Sequence, residues 1–195
     1  MKKLYLYRLN SLILLACTSM AVWSAPPKNI YRKGWIDFNK NGKMDIYEDP
    51  SAPMEERVKD LLSQMTLEEK TCQMATLYGS GRVLEDALPE EHWKQALWKD
   101  GIGNIDEEHN GLGTFGSEYS FPYNKHVKAK HEIQRWFVEE TRLGIPVDFT
   151  NEGIRGLCHD RATFFPSQSG QGSTWNKELI ARIGEVEAKE AVAFG

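Results

Sequence analysis

Two short β-forming runs, Gly101–Ile105 and Val147–Thr150, stand on either side of a helix-favouring stretch at residues 124–142. A strand, a long helix and a second strand in that order is how a chain builds parallel pairing, since antiparallel neighbours need only a tight turn between them. Val127, Ile133, Trp136 and Phe137 form the stripe expected to be buried on the middle helix, and Leu143-Gly-Ile-Pro146 stops it. Upstream, Met54, Val58, Leu61, Leu62 and Met65 recur at helical spacing and predict an amphipathic helix over about 54–65. Thr66-Leu-Glu-Glu69 reads as a capping box that starts a second helix, ending near Ala75. Downstream, Asn176 is expected to cap a last helix carrying Leu179, Ile183 and Val186 on its inner face. Between 76 and 123 only Gly101–Ile105 stands out, and Asn110–Gly116 reads as an irregular loop. The predicted order is therefore helix–strand–helix–strand–helix, an α/β fold. Two such units cannot close a barrel, and the helical pattern runs on to Phe194, so the natural protein is expected to be longer.

Composition supports a globular chain: of 195 residues, 41% are hydrophobic and 27% charged. With 24 basic and 28 acidic residues the formal charge is −4, which gives no general attraction for nucleic acid. Residues 1–25 read as a secretory signal: Lys2, Lys3 and Arg8 precede the apolar run Leu12–Val22, and Ser24 and Ala25 follow. The apolar run is too short to span a membrane. Leu14-Leu-Ala-Cys17 also reads as a lipoprotein site that would carry a lipid anchor on Cys17, so an exported protein is expected, periplasmic, extracellular or anchored to the outer membrane. The remaining cysteines, Cys72 and Cys158, are read as separate buried thiols.

Residues 26–50 form a polar N-terminal segment, and residues 51–195 the main domain. Within the segment, Asp37-Phe-Asn39-Lys-Asn41-Gly42-Lys43-Met-Asp45-Ile-Tyr-Glu48 follows the EF-hand loop spacing. Asp37, Asn39, Asn41, Asp45 and Glu48 place side-chain oxygens at loop positions 1, 3, 5, 9 and 12, the Lys43 carbonyl supplies position 7, and Gly42 takes the sharp turn at position 6. Calcium needs six or more hard oxygen ligands, and this set can supply them for a structural ion. Two Asn in place of Asp, and Lys40 and Lys43 within the loop, argue against tight binding.

The block Leu143-Gly-Ile-Pro-Val-Asp-Phe-Thr-Asn-Glu-Gly-Ile-Arg-Gly-Leu-Cys-His159 resembles glycoside hydrolase family 3, the β-glucosidase and β-xylosidase group. Asp49–Lys70, Asp100–Ile105 and Ala162–Leu179 are similar to the same family's opening helix, its glycine-bearing strand and its later "TWN" stretch. The resemblance implies the first part of a (β/α)8 TIM barrel, with sugar bound at the C-terminal ends of the strands. It implies that Glu152, leaving the strand Val147–Thr150, accepts hydrogen bonds from sugar hydroxyls, and that Arg155 and His159 line the same pocket. Arg155 stands where many members carry His. The family is retaining; its nucleophile lies on a later strand and its acid/base in a following domain, so no catalytic residue is named within 1–195 and this chain alone is expected to be inactive.

The adjacent pairs Glu68-Glu69, Glu107-Glu108 and Glu139-Glu140 read as solvated faces, since neighbours along a helix do not face each other. His126 and His131, five apart, fall on different helix faces and make a poor shared metal site. The expected substrate is a glycoside or oligosaccharide. The rival reading is a non-enzymatic surface module that binds calcium or carbohydrate.

Overall fold

The structure, a computed structural model, describes residues 28–95, 100–112 and 117–195. The predicted signal sequence and Cys17 lie outside the described residues. The described chain is mixed α/β. A two-residue hairpin, β1 (Tyr31–Arg32) and β2 (Trp35–Ile36), opens it. Helices α1 (Met54–Gln64) and α2 (Leu67–Cys72) follow, then β3 (Thr76–Tyr78), α3 (Ser80–Leu84) and β4 (Asn104–Asp106). The long α4 (Tyr123–Glu140) leads to β5 (Asp148–Thr150), and the short α5 (Gln168–Gly172) precedes α6 (Lys177–Phe194). No helix among the described residues is long and apolar enough to cross a membrane.

The expected parallel pair is present and is one strand larger than predicted. β3, β4 and β5 form a parallel sheet in that order, with Leu77, Ile105 and Phe149 in register across it. β3 arises in the region left without a predicted strand. Side chains alternate along a strand, so these three point one way and pack on Ile133, Trp136 and Phe137 of α4 and on Trp93. Trp93 meets Trp136 edge-on at 5.4 Å. Tyr78, Asp106 and Thr150, and one layer below them Thr76, Asn104 and Asp148, line the other face. That face is polar and exposed or half-exposed.

Side-chain hydrogen bonds fix the pieces around this sheet. Gln134 of α4 pairs like a strand with Val147, donating to its carbonyl (2.7 Å) and accepting from its N–H (2.9 Å), and so sets where β5 begins. The capping box at Thr66 is formed, and its Glu69 carboxylate, buried, also accepts from Arg142. Gly103 lies against the Gln73 carbonyl, where a Cβ would sit 2.2 Å from that oxygen, so only glycine admits β4 this close to the end of α2. The N-terminal segment docks on the C-terminal end of α4: the Tyr47 hydroxyl donates to the Leu143 carbonyl (3.3 Å), and Lys40 Nζ donates to the Val138 carbonyl (3.0 Å). A cation suits the exposed carbonyls at a helix end. Lys40 therefore points out of the Asp37–Glu48 loop, although its backbone is part of it. Burial draws its pKa down to about 8.

Several sequence expectations are corrected. Of the last helix's predicted inner residues only Ile183 is buried; Leu179 and Val186 are exposed. Cys72 and Cys158 are both free thiols, as read, but partly exposed. Glu69, Glu107, Glu108 and Glu139, expected to be solvated, are all buried, because each has partners remote in sequence.

Candidate functional site

Parallel strands put their C-terminal ends on one rim, and here the three rim loops are tied to one another. The loop after β4 is the hub. Glu107 N–H donates to the Thr150 carbonyl (3.1 Å), which extends the β4–β5 pairing past the strands. Glu108 accepts from the Ser80 N–H (2.7 Å) and hydroxyl (2.8 Å), holding the start of α3. The Glu107 carboxylate faces Arg82 (3.4 Å) and accepts from the Cys158 thiol (3.4 Å). Arg82 stacks over Tyr78, 4.3 Å from the ring centre. Burial pushes the Glu107 carboxyl up, but hydrogen bonds from Tyr78 and Cys158 and the Arg82 charge outweigh it, and the pKa lies below the usual range. Burial, together with the Glu107 charge, lifts the Cys158 thiol to about 11, so this cysteine is protonated and poorly nucleophilic at neutral pH.

Glu152 lies two residues beyond β5 on an exposed loop. Asn151 organises that loop: its Oδ1 accepts from Glu152 N–H (2.9 Å), and its Nδ2 donates to the Cys158 carbonyl (3.1 Å). Cys158 N–H in turn donates to the Glu152 carbonyl (2.8 Å). Gly156, at φ +100°, closes the turn; a Cβ there would sit 1.9 Å from the Thr163 carbonyl oxygen. The backbone under Glu152 is thus fixed, and its side chain is exposed beyond the strand end. Arg155 is exposed in the same loop, its carbonyl accepting from Phe165 N–H (2.8 Å).

His159 is placed differently from the expectation that it lines a pocket. It is 1% exposed, 4.1 Å from the Phe194 ring and edge-on to His126 at 5.1 Å. Both rings pack on Phe194 in the last turn of α6, and His109, also buried, completes the cluster at longer range, its own ring against Tyr119 at 5.3 Å. Burial lowers the pKa of all three, that of His126 to about 3, and keeps the cluster neutral at pH 7. His131 is on the exposed side of α4, on a different face from His126.

The Asp37–Glu48 loop is closed by a ladder of short turns. Asp37 accepts from Gly42 N–H (3.1 Å) and Arg32 (3.1 Å), Asn39 Oδ1 from Asn41 N–H (3.1 Å), and Asn41 Oδ1 from Lys43 N–H (2.7 Å). Glu48 accepts from Asn39 N–H (3.2 Å) and Asp45 N–H (3.0 Å). Both Asn side chains turn their amide nitrogens onto Asp45. Among the described residues no group of three or more His, Cys, Asp or Glu side chains is arranged to hold a metal ion.

Sequence reasoning missed Tyr78, Arg82, Asp106 and Glu107 as rim residues. The available signal was position: Asp106 and Glu107 directly follow the apolar Ile105 of a run already read as a strand.

Residues 66–195 match the family described as glycosyl hydrolase family 3 N terminal domain. Curated relatives agree. The chain is 29% identical over 154 residues to a "Putative beta-xylosidase" of Formosa agariphila, covering 74% of this chain and 18% of that protein. It is 26% identical over 200 residues to beta-glucosidase C of Emericella nidulans, covering 92% of this chain and 27% of the relative. It is 24% identical over 175 residues to a periplasmic beta-glucosidase/beta-xylosidase of Dickeya chrysanthemi, covering 82% and 25%. The chain thus spans between about a fifth and a quarter of the length of these relatives.

Proposed function

Since this chain belongs to glycosyl hydrolase family 3, we propose that it contributes a sugar-binding wall to an exported, retaining β-glycosidase that hydrolyses terminal β-linked sugars, β-glucosides foremost. The observation that carries this reading is Glu152, exposed just past the C-terminal end of a parallel strand on a loop locked by Asn151 and Cys158. Ligands in parallel α/β folds collect at that end. A carboxylate there accepts charge-assisted hydrogen bonds from two neighbouring hydroxyls, and Arg155 in the same loop can donate to a third. Three parallel strands with the long helix packed on one face support a role as the opening of a (β/α)8 barrel. The catalytic carboxylates are assigned to regions outside these 195 residues. Names of β-glucosidases and β-xylosidases among the relatives, one of them periplasmic, support the substrate class and the export.

The test is hydrolysis of aryl β-glucosides and β-xylosides by the full-length gene product, with proton NMR of the first-formed anomer. Retention of the β-anomer is expected, with Glu152→Gln raising KM about tenfold or more. Sugar binding without hydrolysis would favour the rival reading, a carbohydrate-binding module; neither binding nor hydrolysis would overturn both.

We also propose that the Asp37–Glu48 loop holds a structural calcium ion. The turn ladder supports this, since it fixes Asp37, Asn39, Asn41 and the Lys43 backbone around the tight Gly42 turn. Binding would replace the Asn–Asp45 hydrogen bonds by coordination to the ion. Calorimetric titration of chelator-treated protein should show one site that Asp37→Asn abolishes; no heat at millimolar calcium would overturn it.

A further inference from the structure

The rim carries four acidic side chains in two different states. Glu107 and Glu108 are buried and fully engaged with Arg82, Tyr78, Cys158 and Ser80. Their carboxylates hold loops together. Glu152 is exposed on the loop after β5, and Asp106 is half-exposed at the end of β4. Asp106 is the residue that neither the family resemblance nor the loop architecture accounts for.

Its setting is defined by strand register. Asp106 pairs with Thr150 on one side and Tyr78 on the other, on the face turned away from Leu77, Ile105 and Phe149. The Thr150 hydroxyl lies 2.8 Å from Asp106 Oδ1 and 3.1 Å from Asn104 Oδ1. A hydroxyl has one proton to give, and the ionised acceptor at the shorter distance takes it. Among the described residues Thr150 is the one hydrogen-bond donor to this carboxylate. An ionised carboxylate offers about four lone-pair sites, so most of its accepting capacity faces the open side. Glu152 is two residues along the same chain from Thr150, at most about 7 Å, and β4 and β5 are about 5 Å apart. The Glu152 backbone therefore lies close to Asp106, at the end of the sheet where a substrate would enter.

Resting on the β-glycosidase reading above, we propose that Asp106 is a specificity-determining residue that accepts a hydrogen bond from a hydroxyl of the bound sugar, opposite Glu152, and that Thr150 is the positioning residue that orients its carboxylate. A polar contact of this kind discriminates between substrates, because one lacking the hydroxyl leaves the carboxylate without its partner. The occupant is a neutral, hydroxyl-rich pyranoside; acidic sugars are disfavoured beside the accessible carboxylates of Asp106 and Glu152.

The experiment uses the full-length gene product and an aryl β-glucoside together with its 2-, 3-, 4- and 6-deoxy analogues. Asp106→Ala is expected to lower kcat/KM on the parent substrate by about 10- to 100-fold. On one deoxy analogue, the one lacking the contacted hydroxyl, wild type and variant should agree within about twofold, as a lost shared partner requires. Thr150→Val should give a smaller loss, about three- to tenfold, that vanishes on the same analogue. Asp106→Asn keeps shape and some accepting power, and serves as the same test if the alanine variant fails to fold. Equal activity of wild type and Asp106 variants on every substrate overturns the proposal. So does a loss of equal size on all five, which marks a structural role. A wild type that cleaves no β-glycoside overturns the proposed function itself and this inference with it, whereas an active wild type with unaffected Asp106 variants overturns this inference alone.

Discussion

The two faces of the β3–β4–β5 sheet are built from neighbouring residues and stand in opposite surroundings. Leu77, Ile105 and Phe149 turn into α4 and the tryptophans, while Tyr78, Asp106 and Thr150, one residue further along each strand, turn to the open side. Parallel sheets are usually covered on both faces and apolar on both. Here apolar burial is confined to one face, and the polar ladder Asn104–Thr150–Asp106 occupies the other. A single residue step therefore separates positions whose change should be felt as stability from positions whose change should be felt as binding.

The largest effect should come from the covered face. Phe137 is fully buried among Trp136, Ile133 and Ile105. Phe137→Ala removes an aromatic ring from a packed interior and should cost about 3–5 kcal/mol by chemical denaturation of the full-length protein. Thr76→Ala on the polar face should change stability by no more than about 0.5 kcal/mol. Comparable losses for the two variants would erase the distinction between the faces.

A middle-sized effect comes from the histidine cluster under the rim, where the covered side meets the loops. The folded-state pKa of His126 is about 3, against about 6.5 for an unfolded histidine. The unfolded chain thus takes up a proton that the folded chain refuses. Stability is complete above pH 6.5 and falls as pH drops toward 3, by about 2 kcal/mol at pH 5 from His126 alone. His109 and His159 shift in the same direction and add to the slope. The window between pH 6.5 and 5 belongs to the histidines, because Glu107 and Glu140, whose pKa values are lowered, keep their stabilising contribution there and lose it only as the pH falls below the usual carboxylate pKa. Denaturation at pH 7 and pH 5 should show the loss, and His126→Leu should shrink it; a flat profile would mean that the cluster is hydrated.

The covered face was largely legible in the sequence, and the polar one was not. The periodicity of Ile133, Trp136 and Phe137, the Thr66–Glu69 box and the Asn176 cap are local patterns, and each forms where expected. β3 escaped because three residues with one apolar side chain, Leu77, carry no readable period. The buried glutamates escaped because their partners are distant: Arg142 reaches Glu69 across 73 residues, and Cys158 reaches Glu107 across 51. Glu152 is a candidate through a resemblance, since its motif is contiguous. Asp106 becomes a candidate only when register brings it to Thr150, 44 residues away. His159 shows the reverse: motif position pointed outward, but the chain turns at Gly156 and carries the ring inward against Phe194.

The smallest expected effect sharpens the comparison most. Asp106→Asn keeps the side-chain shape, removes a charge beside Glu107 and weakens the one bond from Thr150. The lost charge-assisted bond and the relieved repulsion oppose each other at a half-exposed site, so the net change in stability should lie within about 0.5 kcal/mol of zero. The same variant should lose activity on β-glucosides through weaker sugar contact. Thermal melts and kinetics on one preparation give both numbers. If the melt drops as far as it does for a core truncation, the carboxylate is a structural member of the polar ladder, and the open face serves folding as much as the covered one does. If the melt holds while activity falls, the step from Ile105 to Asp106 is the boundary between the residues that make the sheet and those that use it.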